Sequence, residues 1–290
     1  MSQTFKLVVL LVALLAVLQV SASASHEESN YYVGIGDRLI RTFGPFYKQP
    51  LVKSDAEHQG WHQFGGADVC DENNYGFCYS KSKNGPTPAQ PMVLCYTEAS
   101  QISAYGVYAF GEPPAALVPK FWEPVSPGVY RTMMSLRNQS RTCSYQRDSA
   151  ILGTRLSINQ NFEIPLTQDA AEDAGWLMGN CIPKMGIHYS YNLSPAGTHS
   201  FELDTMVPAM PMYNPANGRV AAVLYLWPAA QNNGITGPWE GPFSNGLFCA
   251  NWCKDSGCSF GDATISSMHW LYGDYAHVSC KANATCVFGQ

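Results

Sequence analysis

Apolar and polar residues alternate through much of this 290-residue chain, and the dominant period is two. The clearest case is 154–166, where Leu156, Ile158, Phe162, Ile164 and Leu166 fall on one face and Arg155, Ser157, Asn159, Asn161 and Glu163 on the other. Successive side chains of a strand point to opposite faces, so this pattern predicts a half-buried strand. The interruption at Gln160 leaves a hairpin turning near Asn159 as the alternative. A second alternation sets Ile187, Tyr189, Tyr191 and Leu193 against His188, Ser190 and Asn192. If Asn192 carries a glycan, His188 on the same face is expected to look towards solvent or a groove, away from a dry core. The run 220–227 is apolar throughout and reads as a buried strand, entered through an Asn217-Gly218 turn in which both residues take positive φ. Residues 91–110 give one or two strands, and 31–46 a strand broken at Gly44-Pro45. One helix is predicted, Gln168 to Ala174, capped by Thr167 and stopped by Gly175. Residues 70–91 read as a loop and 112–127, rich in proline, as irregular extended backbone. The expected fold is mainly β: an antiparallel sandwich or barrel-like pair of sheets with one short helix and a disulfide-rich C-terminal extension.

Composition supports this, with 16 Tyr, 13 Phe and 7 Trp beside 25 Gly and 19 Pro, the aromatics suiting pleated surfaces and Gly and Pro the turns. The beginning of the chain adds a destination. Lys6, the apolar run 7–18 and Ala22-Ser23-Ala24 have the form of a cleavable signal peptide, too short to cross a bilayer. The expected organisation is a signal peptide at 1–24, a β-rich globular domain at 25–248 and a cysteine-rich extension at 249–290 packed on that domain. No later run is long enough for a membrane span. The net charge of −5 becomes one unit more acidic once Lys6 leaves, which argues against nucleic acid and anionic membranes as partners.

Ten cysteines follow the leader: Cys70, Cys78, Cys95, Cys143, Cys181, Cys249, Cys253, Cys258, Cys280 and Cys286. In an exported chain an even number predicts disulfides, with the pairing left open. The tightest group, Cys249, Cys253 and Cys258, lacks the C-x-x-C pairs of a zinc site. Sequons at Asn138, Asn192 and Asn283 predict surface loops bearing glycans. The chain is therefore expected to be secreted and extracellular.

Common catalytic signatures are missing from the sequence: it has no G-x-S-x-G elbow, no H-E-x-x-H helix and no P-loop. The stretch Cys181-Ile182-Pro183-Lys184-Met185-Gly186-Ile187-His188-Tyr189, followed by Tyr213, Asn217-Gly218 and the strand ending in Pro228, is the most distinctive. It resembles a bacterial exported domain family of unknown function whose pattern runs Cys-Val-Pro-x-Met-Gly-x-His-Trp. The resemblance covers 181–228. It implies a β-fold with a metal site built from the motif histidine, an upstream His-x-Asp-x-His strand and a glutamate before the final proline. Only His188 carries over: 125–140 has no histidine, and Leu226-Trp227 stands where the glutamate would be.

Other donors could complete a divalent-metal site around His188. His58 and His62 are spaced i,i+4, although Gly60 and Trp61 between them disfavour a helix; Glu202 and Asp204 share a strand face and suit a hard cation. His269 and His277 flank an aromatic run and read as packing or surface groups. Two functions follow. The first is a disulfide-stabilised glycoprotein that binds or builds in the extracellular space. The second is a secreted metal-dependent enzyme acting on a small molecule near His188.

Overall fold

The computed structural model describes residues 34–42, 46–65, 69–112, 120–191, 207–227, 231, 238–243, 265–274, 276 and 278–280. The leader, the sequons at Asn192 and Asn283, Glu202, Asp204, His277, Cys249, Cys253, Cys258 and Cys286 lie outside the described residues.

The described residues begin with a short antiparallel pair, β1 (Ile40–Thr42) and β2 (Tyr47–Lys48). After helix α1 (Lys53–His58) it lays down one sheet almost entirely by neighbour-to-neighbour pairing. This sheet runs β3 (His62–Gln63), β4 (Phe77–Ser80), β5 (Met92–Tyr96), β6 (Ile102–Phe110), β8 (Val129–Ser135), β9 (Ser157–Ile158) and β10 (Phe162–Glu163), with β7 (Glu123–Ser126) folded back on β8. Helix α2 (Gln168–Asp173) leads to the other sheet. There β11 (Leu177–Ile182), β12 (Gly186–Ser190), β13 (Ala209–Tyr213), β14 (Val220–Trp227) and β16 (Ile265–Leu271) follow in order, with β15 (Glu240–Phe243) on β16. The far side of β16 is completed by β1, so the first strand sits against the last. Both sheets have eight strands and every strand pair is antiparallel.

One core cluster takes residues from both sheets. The period-two rule selects Val223, Tyr225 and Trp227 of β14 and Met268 and Trp270 of β16 for it. Tyr105 of β6 meets them from the opposite sheet, its ring centroid 4.5 Å from that of Trp270 and 6.0 Å from that of Tyr225. The Tyr105 and Tyr272 hydroxyls share a buried hydrogen bond of 2.5 Å. Trp122 stands edge-on to Trp227 at 4.7 Å. Aromatic pairs in such tilted and T-shaped arrangements add to the area they bury.

The hairpin at 157–163 forms as its pattern predicts, with Asn159 at φ 47° and Gln160 at φ 62°. Asn159 is the keystone, since few residues other than Gly tolerate that region. Its buried side chain also accepts from Met133 N at 2.8 Å and donates to Phe121 O at 2.8 Å. Thr167 caps α2 by accepting from Ala170 N. At the β13–β14 turn only Gly218 has positive φ, 65°, while Asn217 spends its side chain on Arg219 N.

Several expectations change. Helix α1 is an addition, since only its Ala56 is buried and no apolar stripe announces it. Strand β4 lies inside the segment read as a loop, and β7 inside the segment read as irregular. Residues 265–271, read as part of an appended extension, are an interior strand of their sheet. Among the described residues three disulfides link Cys70 to Cys143, Cys78 to Cys95 and Cys181 to Cys280. The last ties β11 to a residue near the C-terminus. Asn138 is exposed and caps the 3-10 turn Gln139–Arg141, in keeping with the surface position its sequon implies. Among the described residues no helix is long and apolar enough to cross a membrane.

Candidate functional site

His188 is buried, 3 % exposed, where a solvent-facing histidine was expected. Its neighbours Ile187 and Tyr189 face the shared core, so the ring lies on the other face of its sheet, which is closed as well: Met210, Met212, Leu224 and Leu271 there are all buried. The ring Nδ1 lies 3.2 Å from the Asn180 carbonyl, in the bulged part of β11. Burial drives its pKa down from 6.5 to about 3, helped by the charge of His269 and opposed by the carbonyls of Asn180 and Gly186. His188 is therefore a neutral imidazole at any ordinary pH.

His269 of β16 shares that face. Its Nδ1 is 2.8 Å from each carboxylate oxygen of Glu240. The pairing of β15 with β16 sets Glu240 opposite Ser267, whose hydroxyl donates to Oε2 at 3.0 Å; the amide of His269 donates to Oε1 at 3.4 Å. Glu240 and His269 are 8 % and 6 % exposed, and the buried oxygens of Glu240 are satisfied by the His269 ring, the Ser267 hydroxyl and the His269 amide. A carboxylate on Nδ1 fixes the ring's orientation and directs Nε2 the other way, as for bases and metal ligands.

The remaining candidates do not join this group. His58 ends α1 in solvent, the chain turns at Gly60 with φ 74°, and His62 stands half-buried on β3 at the edge of the opposite sheet. Among the described residues no three His, Cys, Asp or Glu side chains converge as a metal ion requires. The metal set implied by the family resemblance therefore does not fit the described residues.

A second feature lies on the far face of the other sheet: a cleft of ≈ 220 Å³. Strand register builds it row by row. One row runs Val93, Gly106, Met133 across β5, β6 and β8; the next runs Tyr108, Arg131, Glu123 across β6, β8 and β7. Gly106 is what makes the first row hollow. A Cβ there would lie 2.1 Å from Met133 Sδ and 2.8 Å from Thr132 O, so the missing side chain lets the thioether lie over the strand as floor. Phe64 and Phe77 line the cleft too, and the Cys78–Cys95 disulfide joins directly opposed residues of β4 and β5 with Cys78 at its edge. Tyr75 and Gly76, both at positive φ, turn the chain from the 3-10 turn Glu72–Asn74 into β4 and so bring Phe77 to the cleft.

Arg131 supplies the cleft's cation. Its Nε donates to Glu123 Oε2 at 2.8 Å, and Tyr108 hydrogen-bonds the same guanidinium. Burial alone would lower its pKa, but Glu123 and Tyr108 outweigh burial and leave it raised. Burial likewise raises Tyr108, against the pull of Arg131, so the phenol stays protonated. Neither Arg131 nor Tyr108 stands out in the sequence, because rows across four strands have no signature along the chain.

Fold and cysteines together define a disulfide-bonded, all-β protein of two antiparallel sheets. No protein-family model matches the chain, and no curated protein or solved structure matches it either.

Proposed function

We propose that this chain is a secreted, glycosylated binding protein that works in the extracellular space and takes a small ligand into the cleft beside Met133 and Arg131. The observation that carries the reading is the cleft itself, a hollow in a sheet face with an apolar floor and an organised cation at one side. Binding sites of small molecules combine these features: concave, mostly apolar, with few placed polar groups. The disulfides support the location, since such bonds persist where the medium is oxidising. The exposed sequon at Asn138 supports glycosylation. Soaking or titrating the oxidised, glycosylated protein with a fragment library, with the ε-methyl resonance of Met133 as reporter, tests the reading. Fragments that move this resonance and compete with one another support it; a library that leaves Met133 unmoved refutes it.

One observation favours the second reading, a metal-dependent enzyme around His188. Both buried histidines share a sheet face and have Nδ1 against an acceptor, Asn180 O for His188 and Glu240 for His269, an orienting contact of the kind metal-ligating histidines make. The resemblance of 181–228 to the exported bacterial family contributes His188 alone to this reading. Metal analysis of the purified protein, repeated after chelation and for His188→Ala, decides it: stoichiometric metal lost in the variant supports the enzyme, and none in either rejects it.

A further inference from the structure

We infer that the ligand of the cleft is a small carboxylate with an aromatic or branched apolar body; this rests on the cleft being the binding site. Size comes first. At ≈ 220 Å³ the space is below the ~300–1,000 Å³ of sites that enclose drug-sized molecules, so its occupant is on the scale of one substituted ring. The floor and walls, Val93, Met133, Phe64 and Phe77, match such a body, and a polarizable thioether favours the edge of a ring.

The polar groups set the sign. Among the described residues two charged side chains line the cleft, those of Asp71 and Arg131. Asp71 is committed to its own turn: Oδ1 accepts from Asn73 N at 2.9 Å and Oδ2 from Asn74 Nδ2 at 2.5 Å. Arg131 is differently placed. A guanidinium has five N–H donors in a rigid fork, and here Nε–H goes to Glu123 while Tyr108 engages the group from the adjacent strand position. The rest of the fork remains on a side chain that is 26 % exposed and lines the cleft. Glu123 and Tyr108 hold the plane of the fork in place, and a fork held in place suits the two oxygens of a carboxylate. An amide presents one acceptor where a carboxylate presents two, and an ammonium has none.

The test uses the oxidised full chain with methyl-labelled methionine and four probes: phenylacetate, phenylacetamide, phenethylammonium and acetate. The Met133 resonance is assigned by its loss in Met133→Leu. Phenylacetate is expected to shift it and to bind about tenfold more tightly than phenylacetamide, with acetate and phenethylammonium weaker still. Arg131→Gln should bring phenylacetate down to the level of phenylacetamide while phenylacetamide still binds, which also shows that the variant is folded. Arg131→Lys, which keeps charge without the fork, should fall between. Equal binding of phenylacetate and phenylacetamide by the native protein, or a preference for phenethylammonium, overturns the carboxylate inference and leaves the cleft standing. Failure of every probe to move Met133 overturns the cleft reading as well.

Discussion

His188 makes the stability of this protein depend on pH in a way that one substitution should remove. The folded chain holds the ring neutral down to about pH 3, because burial and the charge of His269 both oppose protonation. The unfolded chain takes up the proton near 6.5. Between these values the unfolded state binds more protons than the native one, so stability is complete above about pH 6.5 and falls as pH drops towards 3. Each proton contributes about 1.4 kcal/mol per pH unit, which amounts to about 2 kcal/mol lost by pH 5 and about 3 kcal/mol by pH 4. In His188→Asn the side chain can still donate to the Asn180 carbonyl, but it does not titrate. Urea unfolding of both oxidised proteins at pH 7.5, 6, 5 and 4, at constant ionic strength, measures the difference. The depressed carboxyl of Asp148 contributes its own acid loss, but equally in both proteins, so it cancels. Stability curves that run parallel down to pH 4 would refute the reasoning, and would mean that His188 carries its proton in the folded state.

Four further outcomes are expected. Gly106→Ala should destabilise by about 1–3 kcal/mol through overpacking and drive the Met133 thioether into the cleft; unchanged denaturation and an unmoved Met133 methyl would contradict the packing described. Asn159→Ala should cost about 3 kcal/mol or more, from a strained positive φ and two orphaned backbone groups, while Asn159→Gly, which relieves only the strain, should recover part of it; equal losses would show that φ is not the issue. Arg137 is buried with its guanidinium on Asp148 and on the carbonyls of Ile102, Ala150 and Ile151, so Arg137→Met should cost about 3–5 kcal/mol in denaturant unfolding, and a loss below 1 kcal/mol would refute that accounting. Replacing Cys181 and Cys280 by Ser opens a crosslink spanning 99 residues and should cost about 4–5 kcal/mol, against about 3 kcal/mol for the Cys78–Cys95 link spanning 17; the reverse order would show that packing outweighs chain entropy.

How much of this was legible depended on whether the determining contacts were local. The 157–163 hairpin could be read because alternation and turn preference both act within a dozen residues. Helix α2 was legible through Thr167, whereas α1, with Ala56 alone buried, offered no stripe. Strand β4 hid among Asn, Gly and Lys because its pairing to β5 is fixed by the sheet beyond it. For His188 the alternation correctly set it on the opposite face from Ile187 and Tyr189, but whether a face is covered depends on the rest of the chain, and this one is closed. Glu240 was invisible beside Gly241 and Pro242. It acquires a role only when β15 lies on β16 and brings it to a histidine 29 positions away. The cleft is the extreme case, since its floor is an absent side chain at Gly106 between residues of two other strands.

The pairing of β1 with β16 has a consequence for how the protein is made. A ribosome releases Ile40–Thr42 early and Ile265–Leu271 more than two hundred residues later, yet each is the other's neighbour. The sheet of β3–β10 can assemble as it emerges, while Ile40–Thr42 has to wait for its neighbour until residues 265–271 have been made. Shortening the chain before residue 265 would thus leave Ile40–Thr42 without its seat, and the unpaired rim would be the most adhesive part of the half-built molecule.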